Sequence, residues 1–296
     1  MAYTSTGTGS PPSRSGRTGA WFARDGLATL GPDAVALLRT LDDVFTGWAL
    51  AAGAAEMMFP PLLRAQDLHM LDYFRNFPHL GSTVSRLRAD RLDRYEAADE
   101  VATVPGHDIE DAGHLLPSAA CYGAYLHFAG TRLSEPVLLT TAARCFRNED
   151  HHDGLRRLWG FTMREIICIG PPEAVRRHLD DSHRVITSFA TQVGLDLSRC
   201  NATDPFFRAD GSRARMQVLA PVKEEYAGPD GTAVASANRH RDFFGERCAI
   251  GFSDRAASTG CVAFGLERWI HVLAGHFDND LRAARDAVLR AAGGRR

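Results

Sequence analysis

The sequence predicts an α+β fold in which an antiparallel sheet is flanked by helices. Three stretches carry that expectation. Thr140 to Glu149 and Leu158 to Ile169 are rich in β-branched and aromatic residues and flank a polar run, Asp150 to Arg157, so they form a hairpin. Ala34, Leu37, Leu38, Leu41, Val44, Phe45 and Trp48 recur at helical spacing behind Asp33, a candidate N-cap. A second amphipathic helix follows Pro171 and Pro172, with Val175, Leu179, Ile186, Phe189 and Val193 on one face.

The hairpin poses the chemical question. Alternation places Trp159, Phe161, Met163, Glu165, Ile167 and Ile169 on one face of the return strand. A carboxylate in an apolar row is costly to bury unless a cation, a donor or a metal compensates it. Arg147 and Glu149 share a face of the outgoing strand and raise the same issue. His151 and His152 fall in the polar loop, where solvation is expected.

The remaining segments fill out the fold. Met1 to Thr18 is rich in Ser, Thr, Gly and Pro, so residues 1–20 are expected to be a disordered tail and 21–296 one catalytic domain. EMMFPPLL (56–63) reads as a strand stopped by Pro60 and Pro61, which belongs at a sheet edge or an interface. Periodicity does not assign Leu71 to Leu80, and Arg86 to Glu100 is charge-dense enough to be solvated. Ser118 as an N-cap would put Cys121 in a first helical turn, where the helix dipole favours thiolate. A strand is expected at Met216 to Val222, running into Lys223 to Glu225. Cys261, Ala263 and Gly265 share one face of a later strand, with Val262 and Phe264 turned to the core. The helix after it carries Arg268 in its first turn, which calls for an anionic partner. Asn279 to Arg296 reads as a basic surface helix and tail.

A hydrophobic content of 45% suffices for a sizeable core, and a net charge of −2 argues against a general nucleic-acid binder. No apolar run approaches the roughly 20 residues that span a bilayer, and Met1 to Ala20 has no secretory core. The six cysteines form no CxxC pair, so a cytoplasmic location with reduced thiols is expected, and Cys145, Cys168, Cys200 and Cys248 are read as structural.

CFRNE followed by RLWGFTMREI resembles the second signature motif of class II aminoacyl-tRNA synthetases. The helix and proline-bearing strand at 33–61 resemble the first motif, which forms the dimer interface in that family. Gly260, Gly265, Glu267 and Arg268 resemble the third. The likeness covers about residues 33 to 278 and is to a truncated seryl-tRNA-synthetase-like group, the amino acid:[carrier protein] ligases. It implies the class II catalytic fold and a homodimer. It implies ATP and Mg²⁺ as well, with Arg147 on the α-phosphate, Arg268 on the γ-phosphate, Glu149 on the adenine amino group, and adenine between Phe161 and Arg268. Asn238 would face the amino acid, and Glu225 would replace a glutamate of the seryl enzymes. Cys121, Glu165 and Cys261 would hold Zn²⁺, which takes the substrate α-amine in its fourth position.

The implied activity is ATP-dependent conversion of a small amino acid, glycine or alanine, to an aminoacyl adenylate. Transfer to the phosphopantetheine thiol of an acyl or peptidyl carrier protein follows. Barely 32 residues precede the first helix, without heptads, so tRNA is not the expected acceptor. The basic residues Arg176, Arg177 and Arg184 would face an acidic carrier. The competing readings are a minimal seryl-type tRNA synthetase and a non-catalytic synthetase paralogue. The second is disfavoured by the presence of Arg147, Glu149 and Arg268.

Overall fold

The computed structural model describes residues 20–208, 210–211 and 222–293. The tail at 1–19 and most of the strand expected at Met216 to Val222 lie outside the described residues.

Among the described residues, nine strands form the main sheet: β1 (Trp21–Arg24), β2 (Leu27–Leu30), β3 (Ala55–Glu56), β4 (Val137–Phe146), β5 (Gly160–Gly170), β6 (Ser198–Ala202), β7 (Lys223–Ala227), β8 (Ala233–Arg241) and β9 (Ser258–Gly265). Their order is β1-β2-β5-β9-β8-β7-β6, with β4 also against β5 and β3 against β4. The pairings are antiparallel except β2–β5 and β3–β4. The hairpin is β4 and β5, in a register that sets Thr141 opposite Glu165 and Cys145 opposite Phe161. Of the run at 56–63, Glu56 lies in β3, which pairs Ala55 and Glu56 with Leu139 and Thr140 and ends before Pro60 and Pro61.

The labelled helices are α1 (Pro32–Ala51), α2 (Tyr122–His127), α3 (Pro172–Val193), α4 (Phe243–Arg247), α5 (Leu266–His276) and α6 (Leu281–Gly293). Gly31 rather than Asp33 is the N-cap of α1; Pro32 takes the first position, where its missing N–H costs nothing, and Asp33 pairs with Arg282. The expected surface helix at the C-terminus is an amphipathic core helix instead. Leu281, Ala284, Ala287, Val288 and Ala291 of α6 are buried on the face that meets α1 and α3.

The pleat gives the sheet two distinct faces. Ile166, Val262, Phe264 and Ala237 point to the helices α1, α3, α5 and α6, where Phe45 stacks on Phe264 at 4.2 Å. Met163, Glu165, Ile167, Cys261 and Ala263 point the other way, toward the segment at 115–128. Arg164 is the exception on the helix face. Its guanidinium is 4% exposed and forks onto Asp42 of α1 at 2.7 and 2.9 Å, with Glu56 of β3 at 2.8 Å. A buried cation is tolerable only with such partners, and this one ties three elements together.

On the same side, buried His178 of α3 donates to the Ile166 carbonyl at 3.1 Å. Burial lowers its pKa, against the pull of that hydrogen bond. As pH falls below about 6.5 the unfolded chain takes the proton first, so stability declines from there toward the depressed folded value. The urea midpoint should therefore drop between about pH 7.5 and about pH 5, and His178→Gln should shrink the drop.

Candidate active site

On the site face the strand register lines residues up in rows. Lys223, Asn238 and Cys261 form one; Glu225, Ser236, Ala263 and Glu165 form the next. Glu165 is thus carried to mid-sheet by β5 and Cys261 by its neighbour β9. Cys121 arrives from outside the sheet. It is itself the N-cap of α2, one position before the first turn expected for it, because Ser118 to Cys121 form a turn that leads into the helix.

The three ligand atoms of Cys121, Glu165 and Cys261 all lie within 4.8 Å of one another, and all three residues are buried. Glu165 Oε1 accepts from the backbone N–H of Ala120 at 2.8 Å and of Cys121 at 3.2 Å. Its Oε2 is buried with no hydrogen-bond partner. Two thiols and an orphaned carboxylate oxygen in one dry cluster suit a tetrahedral, thiophilic dication with one position to spare, so these residues fit zinc. The sequence argument for a ready thiolate at Cys121 does not survive. A hydrogen bond with Cys261 draws the thiol down, but burial and the Glu165 charge push it up to about 11. Cys261 is raised as well, by its hydrogen bond with Cys121, by burial and by Glu165. Crowded acidic groups of this kind are what a bound cation relieves.

Two adjoining cavities open over these rows. The one over the cluster, about 130 Å³, is lined by Cys121, Glu165, Asn238 and Cys261 among others. The other, about 70 Å³, holds Arg147, Glu149, Phe161, Glu225 and Arg268. Arg147, Met163, Lys223, Ser236 and Ala263 line both. Every residue expected at the site from sequence therefore borders one cavity or the other.

Their individual settings differ from expectation in instructive ways. The Arg147 guanidinium donates to the Ser118 carbonyl at 3.1 Å and lies 5.2 Å over the Phe161 ring, so Arg147 rather than Arg268 covers that ring here. Glu149 pairs with Arg157. Arg268 does sit in the first turn of α5, but the anionic partner expected for it is replaced by the carbonyls of Arg156 at 2.8 Å and Ala233 at 3.3 Å. Burial and the Arg147 charge lower its pKa. The preceding Glu267 is buried and accepts from the Thr162 N–H at 2.7 Å, the Thr162 hydroxyl at 2.9 Å and Arg144 at 3.0 Å. That clamp fixes the start of α5 and with it the bearing of Arg268. Asn238 Nδ2 reaches the Ser236 hydroxyl at 3.1 Å and Cys261 Sγ at 3.7 Å.

Sequence reasoning missed His240, which no local pattern distinguishes from a core histidine. Its Nδ1 is 3.3 Å from both the Tyr125 and Thr259 hydroxyls, and its Nε2 is 3.9 Å from Cys261 Sγ. Burial drives its pKa down to about 4. Phe244 of α4 stacks on Tyr125 at 4.2 Å and closes the cavity wall. Of the cysteines read as structural, Cys145, Cys168 and Cys248 are buried, whereas Cys200 is exposed on β6. His151 and His152 are exposed, as their loop implied.

No family model matches the chain. It is 31% identical over 236 residues to amino acid–[acyl-carrier-protein] ligase 1 of Bradyrhizobium diazoefficiens, covering 73% of this chain and 70% of that one. The chain belongs to the amino acid–[acyl-carrier-protein] ligase family. This ligase is also 25% identical over 275 residues to the type-2 serine–tRNA ligase of Methanococcus aeolicus, 84% of its own length but 52% of the relative's. It therefore spans about half the length of that relative. Its fold is that of class II aminoacyl-tRNA synthetases. M. kandleri SerRS, solved in complex with A. aeolicus tRNASec, matches 91% of the ligase and 57% of that chain with a TM-score of 0.78 at 18% identity. Among the described residues, no helix is long and apolar enough to cross a membrane.

Proposed function

We propose that this ligase activates a small amino acid, glycine or alanine, with ATP and passes it to the phosphopantetheine thiol of a carrier protein. The observation that carries the reading is the buried Cys121–Glu165–Cys261 cluster beside an arginine-lined cavity. Cys121, Glu165 and Cys261 would hold Zn²⁺, which would supply a Lewis-acid position for the neutral α-amine. A cavity of about 130 Å³ favours a short side chain, with Asn238 on its wall. ATP, with Mg²⁺ on its phosphates, occupies the adjoining cavity: Arg147 and Arg268 neutralise phosphate, Glu149 and Phe161 receive adenine, and Glu225 replaces the glutamate of seryl enzymes.

An oxygen of the already ionised carboxylate bonds to the α-phosphorus, the α–β P–O bond breaks, and pyrophosphate leaves with the electron pair. No proton moves, so the residues position and neutralise rather than act as acid or base. The carrier thiol sulfur then attacks the acyl carbon, loses its proton to solvent and expels AMP. The edge strand β3 and the 92% exposed Met58 beyond it support a homodimer through this face. Free thiols throughout the described residues fit a cytoplasmic setting.

Pyrophosphate–ATP exchange across the proteinogenic amino acids tests the reading, with signal expected for glycine or alanine and thioester appearing on a phosphopantetheinylated carrier. Charging of tRNA by the purified protein would select the synthetase alternative, and no exchange with any amino acid would select the non-catalytic one. Arg268→Ala should slow exchange by about 100-fold or more, as removing one preorganised charge from a dry site does.

A further inference from the structure

The role above leaves a polar network beside the thiols without a task. His240 lies near the end of β8, where the register steps from Arg239 opposite Gly260 to Arg241 opposite Thr259. His240 is therefore the extra residue of a β-bulge, a device by which a strand re-aims a side chain. The bulge is held at a cost: Arg241 has a φ of 56°, a left-handed backbone that a residue with a Cβ rarely adopts. It sets an imidazole between hydroxyls and sulfur. Nδ1 is 3.3 Å from both the Thr259 and Tyr125 hydroxyls, and Nε2 is 3.9 Å from Cys261 Sγ. The Tyr125 hydroxyl also hydrogen-bonds the Cys121 thiol. The Phe244 ring stands edge-on to the imidazole at 4.9 Å and stacks on Tyr125 at 4.2 Å, which holds both in place.

We propose that His240 is a positioning residue of the Cys121–Glu165–Cys261 cluster: Thr259 donates to Nδ1, so the ring proton sits on Nε2 and is aimed at the Cys261 sulfur, while Tyr125 donates to Cys121. The inference rests on the zinc reading. Two thiolates and a carboxylate bring three negative charges to one dication, and the excess is costly where water is excluded. Donors aimed at the sulfurs spread that excess and fix the direction from which each sulfur meets the metal. A hydroxyl has one proton to give, and the arrangement uses each once, Thr259 on the imidazole and Tyr125 on the other thiol. Asn238 also reaches Cys261 Sγ, at 3.7 Å, but shares its amide with the Ser236 hydroxyl. The imidazole, held from behind at Nδ1, turns its Nε2 to the sulfur.

The test compares the full-length protein with its His240→Leu and His240→Gln variants, without ATP or amino acid. Zinc affinity is read by competition with a chromophoric chelator, and the sulfur-to-cobalt absorption is recorded on the Co²⁺-substituted proteins. His240→Leu should weaken zinc binding about 10–100-fold. It should also move the cobalt band to longer wavelength, because a thiolate without a donor releases its electrons more readily. His240→Gln, which keeps an N–H near the place of Nε2, should recover part of both effects, a rescue that a purely structural role would not give. Thr259→Val, which removes the hydroxyl behind the ring, replaces the Leu variant if the latter does not fold, and should shift both readouts the same way. Three results overturn the inference: zinc affinity in the folded variant within about threefold of wild type, an unmoved cobalt band, or a folded His240→Gln that binds zinc no better than His240→Leu. A wild-type protein that binds no zinc would instead overturn the zinc reading.

Discussion

Replacing Cys261 by alanine should abolish zinc retention and amino-acid activation together. The sulfur is one of the three protein donors that the described residues bring to the buried cluster, and the remaining pair, Cys121 and Glu165, cannot complete a tetrahedral site. Loss of a partner that merely orients a ligand already costs about 10–100-fold in metal affinity or activity, so loss of a ligand should exceed that. The measurements are metal content after dialysis against a chelator and the exchange rate on the same preparation. The change removes few atoms, and its site on β9 is paired on both sides, so the fold should persist by circular dichroism. A metal-free Cys261→Ala protein with full exchange activity would defeat the zinc role.

Arg164→Met should give the largest loss of stability, about 2–4 kcal/mol in urea unfolding. Breaking a buried ion pair by removing one partner costs about 3–5 kcal/mol, because the other charge is stranded. The upper end is discounted here because the partners reach water: the side chains of Asp42 and Glu56 are 28% and 52% exposed. Arg164→Lys should recover little, since an ammonium cannot fork onto the Asp42 carboxylate. Arg164 also touches the Thr140 hydroxyl at 3.4 Å, which in turn donates to the Glu165 carbonyl at 2.9 Å. Weaker zinc retention in Arg164→Met, measured beside its unfolding curve, would report that link.

The hairpin was legible because two runs rich in β-branched and aromatic residues flank a polar loop; the return strand is buried on both faces, and the period of two places Glu165 once the strand is recognised. The cluster of Cys121, Glu165 and Cys261 was legible only through resemblance. Cys121, Glu165 and Cys261 are far apart in the chain, and what joins them is the register of β5 with β9 and the turn at 118–121. Arg164 went unread for a related reason. In a strand it looks like one polar residue in an apolar run, and its partners lie on α1 and β3, far upstream. The environment of Cys121 was misjudged because a helix dipole is a local quantity, whereas burial against Glu165 and Cys261 is not. The terminal helix misled through composition. Its arginines are conspicuous, but the alanines between them are small enough to pack against α1.

Glu165 and Arg164 are consecutive in β5 yet serve opposite sides of the sheet. Inserting or deleting a single residue upstream within that strand would exchange their destinations, sending guanidinium toward the two thiols and carboxylate among the aromatic rings. This segment can therefore drift by substitution but not by length, and any natural indels should accumulate in the connection at 150–158. There an extra residue changes neither parity nor partner.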